Sequence, residues 1–338
     1  MASLAVLCDG ALWRLVVAYQ AGYARDVLPF VRLWKATAAP MTLQTFGTVR
    51  DPAAVWADTL LEALVAAPDA VQTARQILAH CCYLFTPAAV DAVAGRGHLA
   101  VLHLLLAHEH LCTTARGFDL AATHGHIDVV RFLDTHARSA CTPQAMDGAA
   151  SHGHLTVVHF LHHHRTEGCT VQAMDAAARE GHLSVVKFLH EHRREGCTKA
   201  AMDAAARRGH LDVVRFLNAN RAEGCTTAAM NHAALHGHLS VVKFLHEHRR
   251  EGCTTYALDN ALTYGHLDVC AFLMTHRTEG FSGSPLRDAV WAGHTAVVRF
   301  LCETRLEPRQ PELVELAQRR RHGDIVAYLS AYWRAPRL

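Results

Sequence analysis

No apolar run approaches the roughly 18 residues needed to cross a membrane as a helix, so the sequence predicts no membrane contact. Neither sign of charge dominates. The 33 basic and 31 acidic residues leave a net charge of +2 and are interspersed along the chain. A protein that grips a nucleic-acid backbone shows a one-sided basic stripe; none is present, and a nucleic-acid partner is not expected. There is no glycine-rich phosphate loop, no nucleophile elbow and no HExxH zinc motif. The chain is therefore not expected to be an enzyme, nor to carry a cofactor or a metal. The opening residues, MASLAVLCDG, lack a basic start and are interrupted by Asp9, which argues against a secretory signal. The eleven cysteines show no CxxC spacing, and such an unpaired set suits a reducing compartment. The localisation expected is intracellular and cytoplasmic, with the nucleus as an alternative.

The chain does contain one strict period. Gly97, Gly125, Gly153, Gly181, Gly209, Gly237, Gly265 and Gly293 recur every 28 residues, each followed by histidine. A fixed period of this size marks a repeat array, in which each small unit buries its apolar face against its neighbours. In residues 169–196, Thr170 is a good N-cap, and in two other copies a proline follows the equivalent threonine, as Thr86-Pro87 and Thr142-Pro143. A first helix is predicted from that threonine to Glu180, ended by Gly181 in the left-handed conformation. A second helix carries Leu183, Val185, Val186, Phe188 and Leu189 on one stripe and runs to about His192. The Ala149-Ala150, Ala177-Ala178 and Ala205-Ala206 pairs fall where neighbouring first helices must approach to about 8–10 Å.

Taken together, these units resemble ankyrin repeats. The family pattern TPLHxAAxxGHxxVVxxLL is most directly visible as SPLRDAVWAGHTAVVRFL at 284–301, and its GHLDVV core stands verbatim at 209–214. The resemblance covers eight units over residues 85–308, with a divergent repeat at 57–84 and a C-terminal capping repeat at 309–338. Two departures stand out. The period is 28 rather than about 33 residues, and the histidine of TPLH is replaced by Asp91, Asp119, Asp147, Asp175, Asp203 and Asp259, by Asn231 and by Arg287. Four or five extended residues reach about 15 Å, enough to cross to the next unit but not to form a β-hairpin finger. The fold class expected is an all-α, ankyrin-type helical solenoid of stacked helix-turn-helix repeats without long fingers.

Three ladders of chemically suggestive residues have structural readings. Cys141, Cys169, Cys197, Cys225 and Cys253 each stand 12 residues before a repeat glycine; equivalent positions about 10 Å apart are too distant for disulfides or shared zinc, so these read as small buried residues. The histidines after the repeat glycines are expected to bond backbone groups at the turn. The HxH pairs His162/His164, His190/His192 and His246/His248 have the wrong helical spacing for chelation. The aspartates are expected to accept hydrogen bonds from a neighbouring loop or threonine.

Whatever recurs in every copy is set by the repeat, so information about a partner lies where copies differ. The two positions before each repeat glycine differ freely, and in ankyrin arrays the matching end of the first helix faces the concave groove. The resemblance thereby implies a protein partner contacting His124, His152, Arg179, Glu180, Arg207, Arg208, His236, Tyr264 and Trp291. Tyr264 and Trp291 are the expected hot spots, because aromatic and arginine anchors dominate interface energetics. The protein is expected to be a monomer. Residues 1–56 fall outside the repeat, with Leu12, Val16, Val17 and Tyr19, then Val27, Leu28, Val31 and Trp34, at helical spacing. They read either as a helical cap on the array or as a segment that loosely resembles an F-box, the module tying substrate receptors to cullin-type ubiquitin ligases.

Overall fold

In the computed structural model the described residues are 64, 69–81, 85–108, 110–137, 140–304 and 310–334. The segment 1–56, with its cap and F-box-like readings, lies outside them. The chain divides into two compact units, Met1–Thr170 and Val171–Leu338. Among the described residues every regular element is helical.

Up to Thr170, the helix Ala70–Cys81 is followed by three pairs: Pro87–Gly95 with Leu99–Leu106, Ala115–Thr123 with Ile127–Phe132, and Pro143–Ser151 with Leu155–His164. Ile127–Phe132 runs on into one widened turn, Leu133–Ala137. From Val171 on, the pairs are Val171–Glu180 with Leu183–His192, Lys199–Arg208 with Leu211–Asn220, Thr227–Leu235 with Leu239–His248, Thr255–Tyr264 with Leu267–His276, Pro285–Ala292 with Thr295–Glu303, and Glu312–Arg319 with Gly323–Arg334. The predicted starts and stops are met closely. Thr198 and Thr226 accept the amides of Ala200 and Ala228 as N-caps, and Gly209 ends its helix at φ +79°. Glycine occupies such a position at no steric cost.

Stacking follows the small residues. Within each unit the first helices lie closest to one another and the second helices stand further apart. Ala205-Ala206 and Ala233-Ala234 are fully buried and let the backbones approach. Where the second alanine becomes Leu262 or Val290, the first helices pack less closely, because the added methyl groups hold the axes apart. The valine pairs of the second helices, Val213-Val214 and Val241-Val242 among them, close the core at 0% exposure.

The aspartate ladder ties one repeat to the next. Thr226 donates its N–H to Asp203 Oδ1 at 2.8 Å and its hydroxyl to Oδ2 at 2.7 Å, while its Oγ1 accepts the Ala228 amide. The same pattern joins Thr114 to Asp91, Thr142 to Asp119, Thr170 to Asp147 and Thr198 to Asp175. At Asn231 the amide keeps both bonds by reversing one: its Nδ2 donates to Thr254 Oγ1 and its Oδ1 accepts the Thr254 amide. The carboxylate thus holds the N-cap of the following helix, as expected of these residues.

The turn histidines also bond backbone, but across repeats and not within their own turn. His266 and His294 donate Nε2–H to the carbonyls of Leu235 and Thr263, at 3.0 and 2.7 Å, and His126 and His238 engage those of Gly95 and Arg207. Each ring lies on the glycine of the preceding repeat. A Cβ on Gly209 would sit 2.6 Å from Nδ1 of His238. The repeat glycine is therefore required twice, for its positive φ and for the ring above it.

Candidate functional site

The variable positions occupy the C-terminal ends of the first helices, just before the left-handed turn that joins each to its second helix. In the unit ending at Thr170, His124 and His152 are exposed, and the Nδ1 of each contacts the carbonyl one turn back, Leu120 at 2.9 Å and Gly148 at 3.0 Å. Both side chains thus help finish their own helix.

In the unit from Val171 the positions are chemically richer. Arg179 and Arg208 close on the one carboxylate of Glu180, Arg179 at 3.0 Å and Arg208 from 28 residues on. Two guanidiniums beside it hold the Glu180 carboxyl below its usual range despite the opposing effect of partial burial. Arg207 is exposed and has no acidic partner among the described residues, and its carbonyl is taken by His238. His236 is pushed below the ordinary histidine range, by partial burial and then by the positive charge of Arg207. Tyr264 is 58% and Trp291 51% exposed. The Arg320 guanidinium stacks over the Trp291 ring at 4.3 Å, and its Nε donates to the Trp291 carbonyl at 3.3 Å. The predicted residues of this unit therefore share one end of successive first helices. Arg320, unpredicted, joins them because it stands 28 residues after the position of Ala292, one repeat further on.

Two other structural ladders account for residues that suggested chemistry. Arg221, Arg249 and Arg277 pair with Glu223, Glu251 and Glu279, and Arg165 with Glu167. This ladder stands in the sequence as the recurring R-x-E-G at 165–168, 221–224, 249–252 and 277–280, a signal that sequence reasoning missed. The Arg249 guanidinium bonds Glu251 and holds its carboxyl down at about 2. The cysteines of the ladder lie against these pairs. Cys141, Cys197, Cys225 and Cys253 are buried, as expected, whereas Cys169 is only half-buried. Burial pushes the first four thiols up to about 11 in spite of the neighbouring arginines. Thiols so rarely ionised are poor nucleophiles and poor metal ligands.

The HxH pairs lie in the last turns of the second helices, the first ring of each half-buried and the second exposed. His192 stacks on Phe188 of its own helix with ring centroids 4.4 Å apart, while His190 meets Phe216 of the next repeat edge-on at 5.5 Å. His248 and His246 repeat this with Phe244 and Phe272. The two imidazoles of a pair thus serve different aromatic contacts. Among the described residues no three histidine, cysteine or carboxylate side chains converge as a metal-binding group, and no helix is long and apolar enough to cross a membrane.

Comparison with known proteins adds one finding. The family model described as ankyrin repeats (3 copies) matches this chain three times, over residues 146–227, 205–280 and 230–313. No curated protein matches the chain.

Proposed function

Because this chain belongs to the ankyrin-repeat family, whose arrays are protein–protein interaction modules and generally non-catalytic scaffolds, we propose that it binds a partner protein along the groove-facing ends of its first helices. The observation that carries this reading is the placement of exposed aromatics. Tyr256, Tyr264, Phe281 and Trp291, the large hydrophobic side chains left exposed among the described residues, all fall within residues 256–291. Two of them, Tyr264 and Trp291, stand at the ends of successive first helices, and Arg320 of the next repeat lies over Trp291. Exposed aromatics grouped with arginine mark interaction sites, since they bury large area at low entropic cost. Arg179, Glu180, Arg207, Arg208 and His236 extend the surface toward the start of this unit, and His124 and His152 occupy the equivalent positions in the other.

The test is capture of cellular proteins by the full chain and by a variant with Arg207, Arg208, Tyr264 and Trp291 all changed to alanine. These side chains are exposed, so the fold is retained and circular dichroism is unchanged. Loss of the specifically captured proteins supports the surface; identical capture refutes it. In this reading the protein acts as a monomer in a reducing compartment, cytoplasm or nucleus, without nucleic acid. The helical spacing of Leu12 to Trp34 supports a second role, coupling the array to a cullin-type ligase through residues 1–56; deletion of that segment then abolishes ligase association while partner capture persists.

A further inference from the structure

The surface from Val171 onward has a charge that the whole chain does not. At the ends of its first helices stand Arg179, Arg207, Arg208, Arg319 and Arg320, opposed by Glu180 and Glu315. Over the whole chain the signs nearly cancel, with 33 basic against 31 acidic residues. The helix dipole favours a cation at a C-terminus, which explains one arginine per helix. It does not explain the doubled Arg207-Arg208, nor why Tyr264 and Trp291 stand exposed in the same row.

The geometry of Arg320 completes the picture. Its guanidinium carbon lies over the Trp291 ring, 4.3 Å from the centroid, and its Nε donates to the Trp291 carbonyl. The two terminal nitrogens carry four further N–H donors in a planar fork, the group that receives a carboxylate in bidentate fashion. Arg207 offers a second charge unneutralised among the described residues. Arg179 and Arg208 share one carboxylate, which leaves a third positive charge in excess.

We propose that this face binds an acidic, extended segment of the partner, with carboxylates on Arg207-Arg208 and on Arg320 and an apolar side chain between them on Tyr264 and Trp291. Successive first helices are about 10 Å apart and an extended peptide advances about 3.3 Å per residue. Four repeats separate Arg208 from Arg320, so the segment spans about twelve residues with its acidic groups at the two ends. The proposal rests on the partner-binding reading above and names the chemistry of that partner.

The experiment measures fluorescence anisotropy of a labelled peptide of about that length, aspartates at both ends and leucine and phenylalanine between, titrated with the full chain. A peptide with lysine in place of aspartate and a single-stranded oligonucleotide of similar length serve as competitors. The acidic peptide is expected to bind, and R207E/R208E to weaken it at least about tenfold. K187E/K243E, which makes the same change in net charge on the outer face of the second helices, leaves binding intact. R207A/R208A gives a smaller loss in the same direction, and rising salt weakens the complex. Absence of binding, equal loss in both charge-reversed variants, or preferential displacement by the oligonucleotide overturns the proposal. If the quadruple alanine variant loses its captured proteins while R207E/R208E keeps them, the partner surface stands and its acidic specificity falls.

Discussion

The ring over the repeat glycine makes Gly209→Ala the most informative single substitution. Gly209 has φ +79°, and an L-residue held in the left-handed region costs about 1–2 kcal/mol. The new Cβ would stand 2.6 Å from Nδ1 and 2.7 Å from Cε1 of His238, where ordinary contact is about 3.5 Å. The imidazole must therefore move by nearly 1 Å, roughly the difference between those separations. That displacement breaks its bond to the Arg207 carbonyl, worth about 1 kcal/mol, and loosens the stacking around it. Total destabilisation of about 2–4 kcal/mol is expected. His238→Ala alone costs about 1–2 kcal/mol from the lost bond and packing. In that background the added methyl group meets no ring, so Gly209→Ala costs only its backbone strain. The assay is urea unfolding of the two single variants and the double variant, followed by far-ultraviolet circular dichroism. A coupling of about 1 kcal/mol is expected between the sites, and additivity within about 0.5 kcal/mol would refute the idea that ring and glycine constrain each other.

Three further outcomes follow from the ladders. Asp203→Ala removes both bonds to Thr226 and is expected to destabilise by about 2 kcal/mol, whereas Asp203→Asn, which recreates the natural pairing of Asn231 with Thr254, costs less than about 1 kcal/mol; thermal midpoints of the two variants decide. The histidines His126 and His238, both held low chiefly by burial, and His236 beside Arg207 bind protons more weakly folded than unfolded. Their contribution is complete above the unfolded value of 6.5, declines as pH falls through it, and levels off below their folded values. The ion-paired Glu251, at about 2 against an ordinary 4.5, adds a second loss that begins as pH falls through the ordinary value. A thermal midpoint that stays flat from neutral pH to below the histidine range would contradict the first part. Alkylation mapped peptide by peptide is expected to label exposed Cys112 rapidly in the native protein, with Cys197, Cys225, Cys253 and Cys270 reacting only on unfolding; rapid native labelling of these four would show that burial does not protect them.

The repeat was legible because each of its signals is local. Thr198 caps the helix that follows it, Gly209 ends that helix, and Val213 and Val214 turn their apolar stripe inward; a period of 28 then multiplies one helix pair into many. The aspartate ladder crosses between repeats, yet it too was legible, because the period places a cap threonine with its N–H and hydroxyl 23 residues after each of Asp91, Asp119, Asp147, Asp175 and Asp203. What the sequence left hidden were contacts that depend on how one repeat is set against the next. Nothing local places the His238 ring on Gly209, pairs Arg208 with Glu180, or lays Arg320 across Trp291. Those contacts join positions 28 or 29 residues apart in the chain. Capping, helix propensity and apolar spacing act within a few residues and are written in the chain itself; which side chains meet across a stack is fixed by the distance and rotation between neighbouring helices, and only the folded molecule sets those.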